Sequence, residues 1–389
     1  MIVTFYSNFL NHHQLSFCLE MQRLTRGNFF FVADIPISAD RLRLGYEDLN
    51  HLPFVIRAYE SEKERKRAET LCLKSDFIIH GSASEEYIRM RMKNDKKLAF
   101  RYSERWLKDG IWHMFSPRAR YFVNRDHGVY RKEPLYMLCA SAFAAADLKR
   151  FGVYCGKTYK WGYFPEAKRY EDLDGLLAKK ETHTLLWAGR YLEWKHPESA
   201  ILLAADLKRA GYKIRLRMIG TGEKEREIRT MIAAERLEGE VEVLGSMAPE
   251  RVRAYMEKSE IFLFTSDFNE GWGAVLNEAM NSACTVVASH AIGSVPFLIQ
   301  NGENGLIYKN KDRKDLFRKV GSLLDDAEKS KKIAKKAYET IVDLWNGETA
   351  AQRLMLLAED LLSEGRSARF SNGPCSAAGF LKNNWFRRQ

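Results

Sequence analysis

The sequence predicts an α/β protein of two domains, each a parallel sheet flanked by helices. Three observations carry that prediction. Short apolar runs of strand length alternate with helical patterns along the chain, the order that builds parallel sheets through crossover helices. Residues 261–289 (IFLFTSDFNEGWGAVLNEAMNSACTVVAS) compress the unit into one stretch: an apolar run, a Gly-rich turn, a helical pattern and a second apolar run. And 389 residues, 46% hydrophobic and 12% aromatic, supply two cores of ordinary size. Such a composition excludes a disordered chain.

In the first half, residues 2–6 form a strand, 7–14 a polar turn and 15–24 a helix. Asn11, His12 and His13 lie in that turn as candidate ligand groups or simple polar caps. A strand at 29–32, an irregular segment at 46–53 and a charged amphipathic helix at 60–73 follow. The run 76–80 ends in His80-Gly81, and residues 82–86 (SASEE) start a helix with a hydroxyl cap and acids in the first turn. His80 thus stands at the carboxyl end of a parallel strand, where open α/β sheets hold ligands; a structural role suits it equally. The strand 97–102 is followed at once by Ser103, Glu104 and Arg105, a ligand-contacting group or one end of an interdomain salt bridge. Basic and aromatic residues interleave over 117–132, which reads either as a face for a membrane surface or as a solvated basic face over a core of Tyr121, Phe122 and Val123. A strand at 135–140, a helix at 141–151 and a strand at 158–164 close the domain, and 165–180 is a polar linker.

The second half opens with a strand at 184–188, then Gly189-Arg190 and, five residues on, Lys195. Two cations beside a glycine at a strand end make a phosphate site, Arg as a bidentate clamp and Lys as a point charge. A strand at 214–219 runs into Gly220-Thr221-Gly222 and a helix at 223–234; a strand at 241–244 runs into Gly245-Ser246-Met247; a helix at 252–258 leads to the central stretch. There Glu270-Gly271-Trp272-Gly273-Ala274-Val275 forms the turn, with glycines that admit a ligand to the backbone and N–H groups that favour a diphosphate. Glu278 lies eight residues after Glu270 and, from a helix beginning near Gly273, projects from its second turn, so the two carboxylates grip different hydroxyls of one extended ligand. Turns at 293–296 and 301–305, helices at 312–324 and 327–342, and a last helix over 349–362 follow. Residues 363–389, rich in Ser, Gly, Ala and Arg without periodicity, predict a disordered basic tail.

The Glu-x7-Glu spacing with Gly-aromatic-Gly inside it and Glu-Ala-Met closing it, together with Gly-Arg-x4-Lys, resembles the nucleotide-sugar signature of retaining glycosyltransferases of family 4. That resemblance implies the GT-B fold: two Rossmann-like domains facing a central cleft, an acceptor domain over 1–165, a donor domain over 181–344, and a helix over 345–362 crossing back. It implies transfer of a sugar from a nucleotide diphosphate sugar to a hydroxyl of a glycan or lipid-linked acceptor, in cell-surface polysaccharide assembly. Catalytic roles fall on Glu270, Arg190 and Lys195. Donor contacts fall on Gly189, Gly220, Gly222, Gly245, Ser246, Met247, Gly271, Trp272, Gly273, Ala274, Val275 and Glu278, with Glu270 on sugar hydroxyls and Glu278 on the ribose. Acceptor-side candidates are Asn11, His12, His13, His80, Tyr102, Ser103 and Glu104. The chain departs from the family pattern in lacking a Gly-Gly pair near residue 11 and a His near Tyr102, and in carrying Phe297 where a Glu is common. Two alternatives stay open: a non-catalytic nucleotide-sugar-binding subunit, and another GT-B enzyme such as a nucleotide-sugar epimerase.

Charge and cysteines bound the partners. The net charge is +11. Residues 1–166 hold 27 Lys and Arg against 19 Asp and Glu, so an excess of 8 lies in the first half. That permits peripheral contact with anionic lipid. No nucleic-acid-binding motif accompanies it, so no nucleic acid is expected. The six cysteines form no Cys-x-x-Cys pair and read as reduced thiols of a cytoplasmic protein rather than a disulfide frame or zinc site. No basic leader with an apolar core opens the sequence, and no run reaches the ~20 apolar residues of a membrane span. With Arg and Lys supplying the counter-charge, and no Asp-x-Asp metal motif read in the chain, no divalent ion and no cofactor is expected.

Overall fold

The computed structural model describes residues 1–43, 45–108 and 110–386. The chain divides into two compact units, one of Met1–Glu166 with Leu344–Lys382, the other of Ala167–Asp343 with Asn383–Gln389.

The first unit holds a parallel sheet of seven strands, β1 (Val3–Ser7), β2 (Phe29–Ala33), β3 (Val55–Arg57), β4 (Phe77–His80), β5 (Ala99–Ser103), β6 (Leu135–Cys139) and β7 (Thr158–Lys160), in the order β3-β2-β1-β4-β5-β6-β7. β1, β4 and β6 are buried along their whole length, which is why they read as continuous apolar runs rather than alternating ones. The helix His12–Leu24 begins three residues earlier than the apolar pattern predicts, because Asn11 caps it by accepting the His13 N–H at 3.0 Å. β3 falls just after the segment read as irregular; three residues long and at the sheet edge, it has too few positions to show a period.

The tail departs from expectation. Residues 375–378 lie antiparallel along β7: Cys375 N–H donates to Lys160 O (2.8 Å), Lys160 N–H to Ser376 O (2.7 Å) and Ala378 N–H to Thr158 O (2.9 Å). Cys375 and Ser376 are buried. The partner is the otherwise open edge of β7, more than 200 positions away, so composition alone does not reveal it. The core reading of 117–132 also fails in part: Tyr121 and Phe122 are exposed, and of the three core candidates Val123 alone packs on the unit's core, as does Tyr130.

The second unit holds six parallel strands, β8 (Glu181–Ala188), β9 (Arg215–Ile219), β10 (Val241–Gly245), β11 (Ser259–Phe264), β12 (Thr285–Ser289) and β13 (Leu306–Tyr308), in the order β10-β9-β8-β11-β12-β13. Chain progress reverses at β8, which pairs with β9 on one side and β11 on the other. The carboxyl ends of β8 and β11 therefore form a switch point, the place where open parallel sheets take ligands. Leu185, Trp187, Leu216, Met218, Ile261 and Leu263 pack beneath it. The predicted linker contains the helix Leu173–Ala178, capped by Asp172.

Candidate functional site: the switch point of the second unit

The turn after β8 is locked onto the turn after β9. Gly189 N–H donates to Ile219 O (3.0 Å), Tyr191 N–H to Thr221 O (2.9 Å) and Lys224 N–H to Tyr191 O (3.0 Å). Gly220 has φ +133°, and a Cβ there would lie 1.9 Å from Gly189 O. Only glycine permits that approach, which fixes where Gly189 and Arg190 leave the strand. Gly220 N–H also donates to Gly245 O at 2.8 Å, bringing the third turn alongside, where Ser246 is exposed and Met247 half-buried.

Lys195 ends the short helical turn Glu193–Lys195, and its Nζ lies 2.5 Å from Glu270 Oε2. Glu270 is 6% exposed and accepts a second bond, from Ser266 Oγ, at 2.9 Å. The backbone under Lys195 is anchored too: Thr265 Oγ1 donates to Lys195 O (2.7 Å) and itself accepts from Trp187 Nε1 (2.8 Å). Lys195 and Glu270, expected on the diphosphate and on the sugar of a ligand, thus share one charged spot, and Arg190 is exposed just past the end of β8.

His196 completes the connection. Its φ of +49° is left-handed, a conformation a non-glycine residue keeps when its surroundings hold it. Its Nδ1 lies 2.8 Å from Glu198 Oε1 and its Nε2 3.2 Å from Asp267 Oδ2, while Asp267 N–H donates to Trp194 O at 3.0 Å. Hydrogen bonds from its ring N–H groups to the Asp267 and Glu198 carboxylates raise the imidazole to about 9, so it is a cation at neutral pH.

In the Glu270–Val275 turn, Gly273 has φ +81° and a Cβ there would clash with the Phe264 ring. Ala274 is buried and Val275 half-buried. The ring of Trp272, one of the expected donor contacts, is fully buried, its Nε1 donating to Asn277 Oδ1 at 2.9 Å; it anchors the turn in the core. The helix is Val275–Asn281, which puts Glu278 in its first turn rather than its second. Glu278 is half-buried, and burial pushes its carboxyl up to about 7 against the lowering pull of Arg253.

The first-unit candidates separate into two groups. His12 and His13 lie 3.7 Å apart by ring centroids, His13 stacks near Tyr163 (5.9 Å), and Tyr163 OH donates to Glu104 Oε1 (2.8 Å). Tyr102 meets the same Tyr163 ring edge-on. Burial, with His12 and Arg41, lowers His13 to about 3, so it is neutral. Asn11 is the helix cap, and Ser103 Oγ accepts from Trp106 Nε1 (3.1 Å). His80 stands apart: it is buried, its Nε2 is bonded to Ser84 O at 2.9 Å and it is lowered to about 4 by burial and Arg101, which fits the structural of its two readings. Glu104 pairs with Lys108 (2.5 Å) and Arg105 with buried Asp147 (3.3 Å), so both ion pairs lie within the first unit.

Sequence reading passed over Ser266, His196, Asp267 and Tyr163, whose partners lie at positions no motif spans. It also passed over Asp172 and Asp174, an Asp-x-Asp spacing. Asp172 caps a helix and Asp174 faces Lys335 at 3.4 Å. Among the described residues no helix is long and apolar enough to cross a membrane.

Residues 169–340 match the family model described as Glycosyl transferases group 1. A protein named as a colanic acid biosynthesis glycosyltransferase, WcaL of Escherichia coli (strain K12), is 27% identical over 183 residues, 46% of this chain and 45% of that one. The match thus spans less than half the length of that relative. The structure of Anabaena Alr3699/HepE in complex with UDP superposes with a TM-score of 0.67 at 16% identity, covering 93% of this chain and all of the other. Sucrose-phosphate synthase from Thermosynechococcus elongatus gives 0.64 at 15%, with the same coverage. The chain therefore carries two Rossmann-like units in the GT-B fold, and its residues 169–340 are similar to the glycosyl transferases group 1 family.

Proposed function

We propose that the chain is a retaining glycosyltransferase of the family 4 type. It moves a sugar from a nucleotide diphosphate sugar to a hydroxyl of a glycan or lipid-linked acceptor in cell-surface polysaccharide assembly, at the cytoplasmic face of an anionic membrane. The observation that carries this reading is the Lys195–Glu270 pair, 2.5 Å apart at the switch point of the second unit. A cation and a carboxylate in one spot suit a ligand that offers a phosphate next to a sugar hydroxyl.

In this reading Arg190 and Lys195 neutralise the charge that grows on the departing diphosphate, and the backbone amides of the turn 271–274 add fixed dipoles. Glu270 holds sugar hydroxyls and Glu278 the ribose. The bond from the anomeric carbon to the diphosphate breaks, the acceptor oxygen bonds to the same face, and the acceptor proton goes to the departing phosphate. No protein base and no divalent ion is required. Likeness to a colanic acid biosynthesis protein supports a polysaccharide role, and the UDP held by the HepE structure supports a nucleotide donor.

The test is an NMR assay of transfer from UDP-, GDP- and dTDP-sugars, scored for the anomeric configuration of the product. Retention supports the reading and inversion contradicts it. Total loss of turnover on chelation, restored by added metal, contradicts the metal-free part.

A further inference from the structure

We propose that residues 111–132 are a docking patch that seats the first unit on an anionic lipid bilayer. This deepens the membrane-facing part of the proposed function, on which it rests for the acceptor's location. Twelve large apolar side chains are exposed among the described residues, and six of them lie in this one stretch: Ile111 (47%), Trp112 (77%), Phe115 (62%), Tyr121 (64%), Phe122 (37%) and Val129 (58%). Apolar residues exposed singly are ordinary; a cluster of this size marks an interaction surface.

The charge on the same stretch names the occupant. Arg118, Arg120, Arg125, Arg131 and Lys132 are exposed. The single carboxylate, Asp126, is buried and held by Arg89 (2.8 Å) and Arg125 (2.6 Å). Arg118 and Arg125 lie over the Phe122 ring at 5.7 and 4.7 Å, so cation and aromatic face are presented together. Phosphates above apolar chains are the surface that such interleaving fits, with Trp and Tyr at headgroup depth and Arg on phosphate.

The patch stands on a fixed base. Ser116 caps the helix Pro117–Asp126, and Arg120 Nε donates to Met114 O at 2.8 Å, tying the turn Ile111–Phe115 to that helix. Beneath, Arg101 Nη2 donates to Asp126 O (2.8 Å), and His127 Nδ1 bonds Tyr154 OH (2.8 Å). Aromatics held outward on a rigid support need no reordering to enter a headgroup layer.

Co-sedimentation with vesicles tests the proposal, using phosphatidylglycerol and phosphatidylcholine in equal parts, and phosphatidylcholine alone. The full chain is expected to sediment with the anionic vesicles and much less with the neutral ones, and added salt weakens the binding. Trp112→Ser with Phe115→Ser, and separately Arg118→Gln with Lys132→Gln, each lower the partition roughly tenfold or more. These side chains are exposed, so thermal melting is expected to stay unchanged. A wild type that stays in the supernatant, or variants that sediment like it, overturns the proposal. Nucleotide-induced thermal shifts on the same samples are read separately: a retained response with no vesicle binding removes the patch and leaves the transfer reading standing.

Discussion

His196 Nε2 lies 3.2 Å from Asp267 Oδ2, and this bond ties the turn that carries Lys195 to the turn that carries Glu270. With the imidazole raised to about 9, its folded value exceeds the ordinary one near 6.5. The stability it contributes is then complete below pH 6.5 and is lost as pH rises through 9. Denaturant melts at pH 6 and pH 9.5 are expected to show a loss on the order of 2 kcal/mol in the wild type that His196→Ala does not show. Equal losses in both proteins refute the clasp.

Lys195 and Glu270 share one charged spot, so their substitutions are expected to be non-additive. Lys195→Ala and Glu270→Gln each lower kcat/KM by roughly 10² to 10³. The double variant loses less than the product of the two, because the second change removes a group already unpartnered. Multiplicative losses place the two residues on independent parts of the substrate.

In the proposed reading Glu278 holds the ribose as a carboxylate. Its folded value is raised to about 7, so a proton competes with the ribose hydroxyls below neutrality. Nucleotide affinity is expected to fall as pH drops through 7, approaching about tenfold per pH unit, and Glu278→Gln flattens that profile. Calorimetric titration between pH 5.5 and 8 reads it, and an unchanged slope in the variant contradicts the ribose role.

The buried Trp272 ring and the crowded Gly220 backbone predict stability effects. Trp272→Ala costs about 3 to 5 kcal/mol, as for other large core truncations, while Trp272→Phe keeps most of the packing. Gly220→Ala, with its Cβ aimed at Gly189 O, costs about 1 to 3 kcal/mol and weakens nucleotide binding with it. Urea unfolding measures both; a neutral Gly220→Ala removes the close approach of the two turns from the account.

What the sequence made legible follows the range of the interactions. Gly189, Gly220, Gly273, Lys195 and Glu270 could be read because each strand-to-helix turn encodes its own chemistry within a few residues. His196 could not, since a histidine after Lys195 gains meaning only when Asp267, 71 positions on, is folded against it. Trp272 shows the opposite limit: spacing located the turn, but which way the ring points is decided by Asn277 and the core. Residues 363–389 read as a disordered tail because the partner of residues 375–378 is the far edge of β7. Tyr121 and Phe122 had two readings in the sequence, and only the packed surface decides for exposure.

The central claim is that the switch point of the second unit binds a nucleoside diphosphate through Lys195. Thermal shift of the wild type and of Lys195→Ala against UDP, GDP, ADP, dTDP and CMP tests it most directly. One diphosphate is expected to stabilise the wild type, by ~2.7 kcal/mol at about 100 times its dissociation constant, with CMP weaker and the Lys195→Ala response lost. A wild type that responds to none of the five, or a variant that responds like the wild type, contradicts the account.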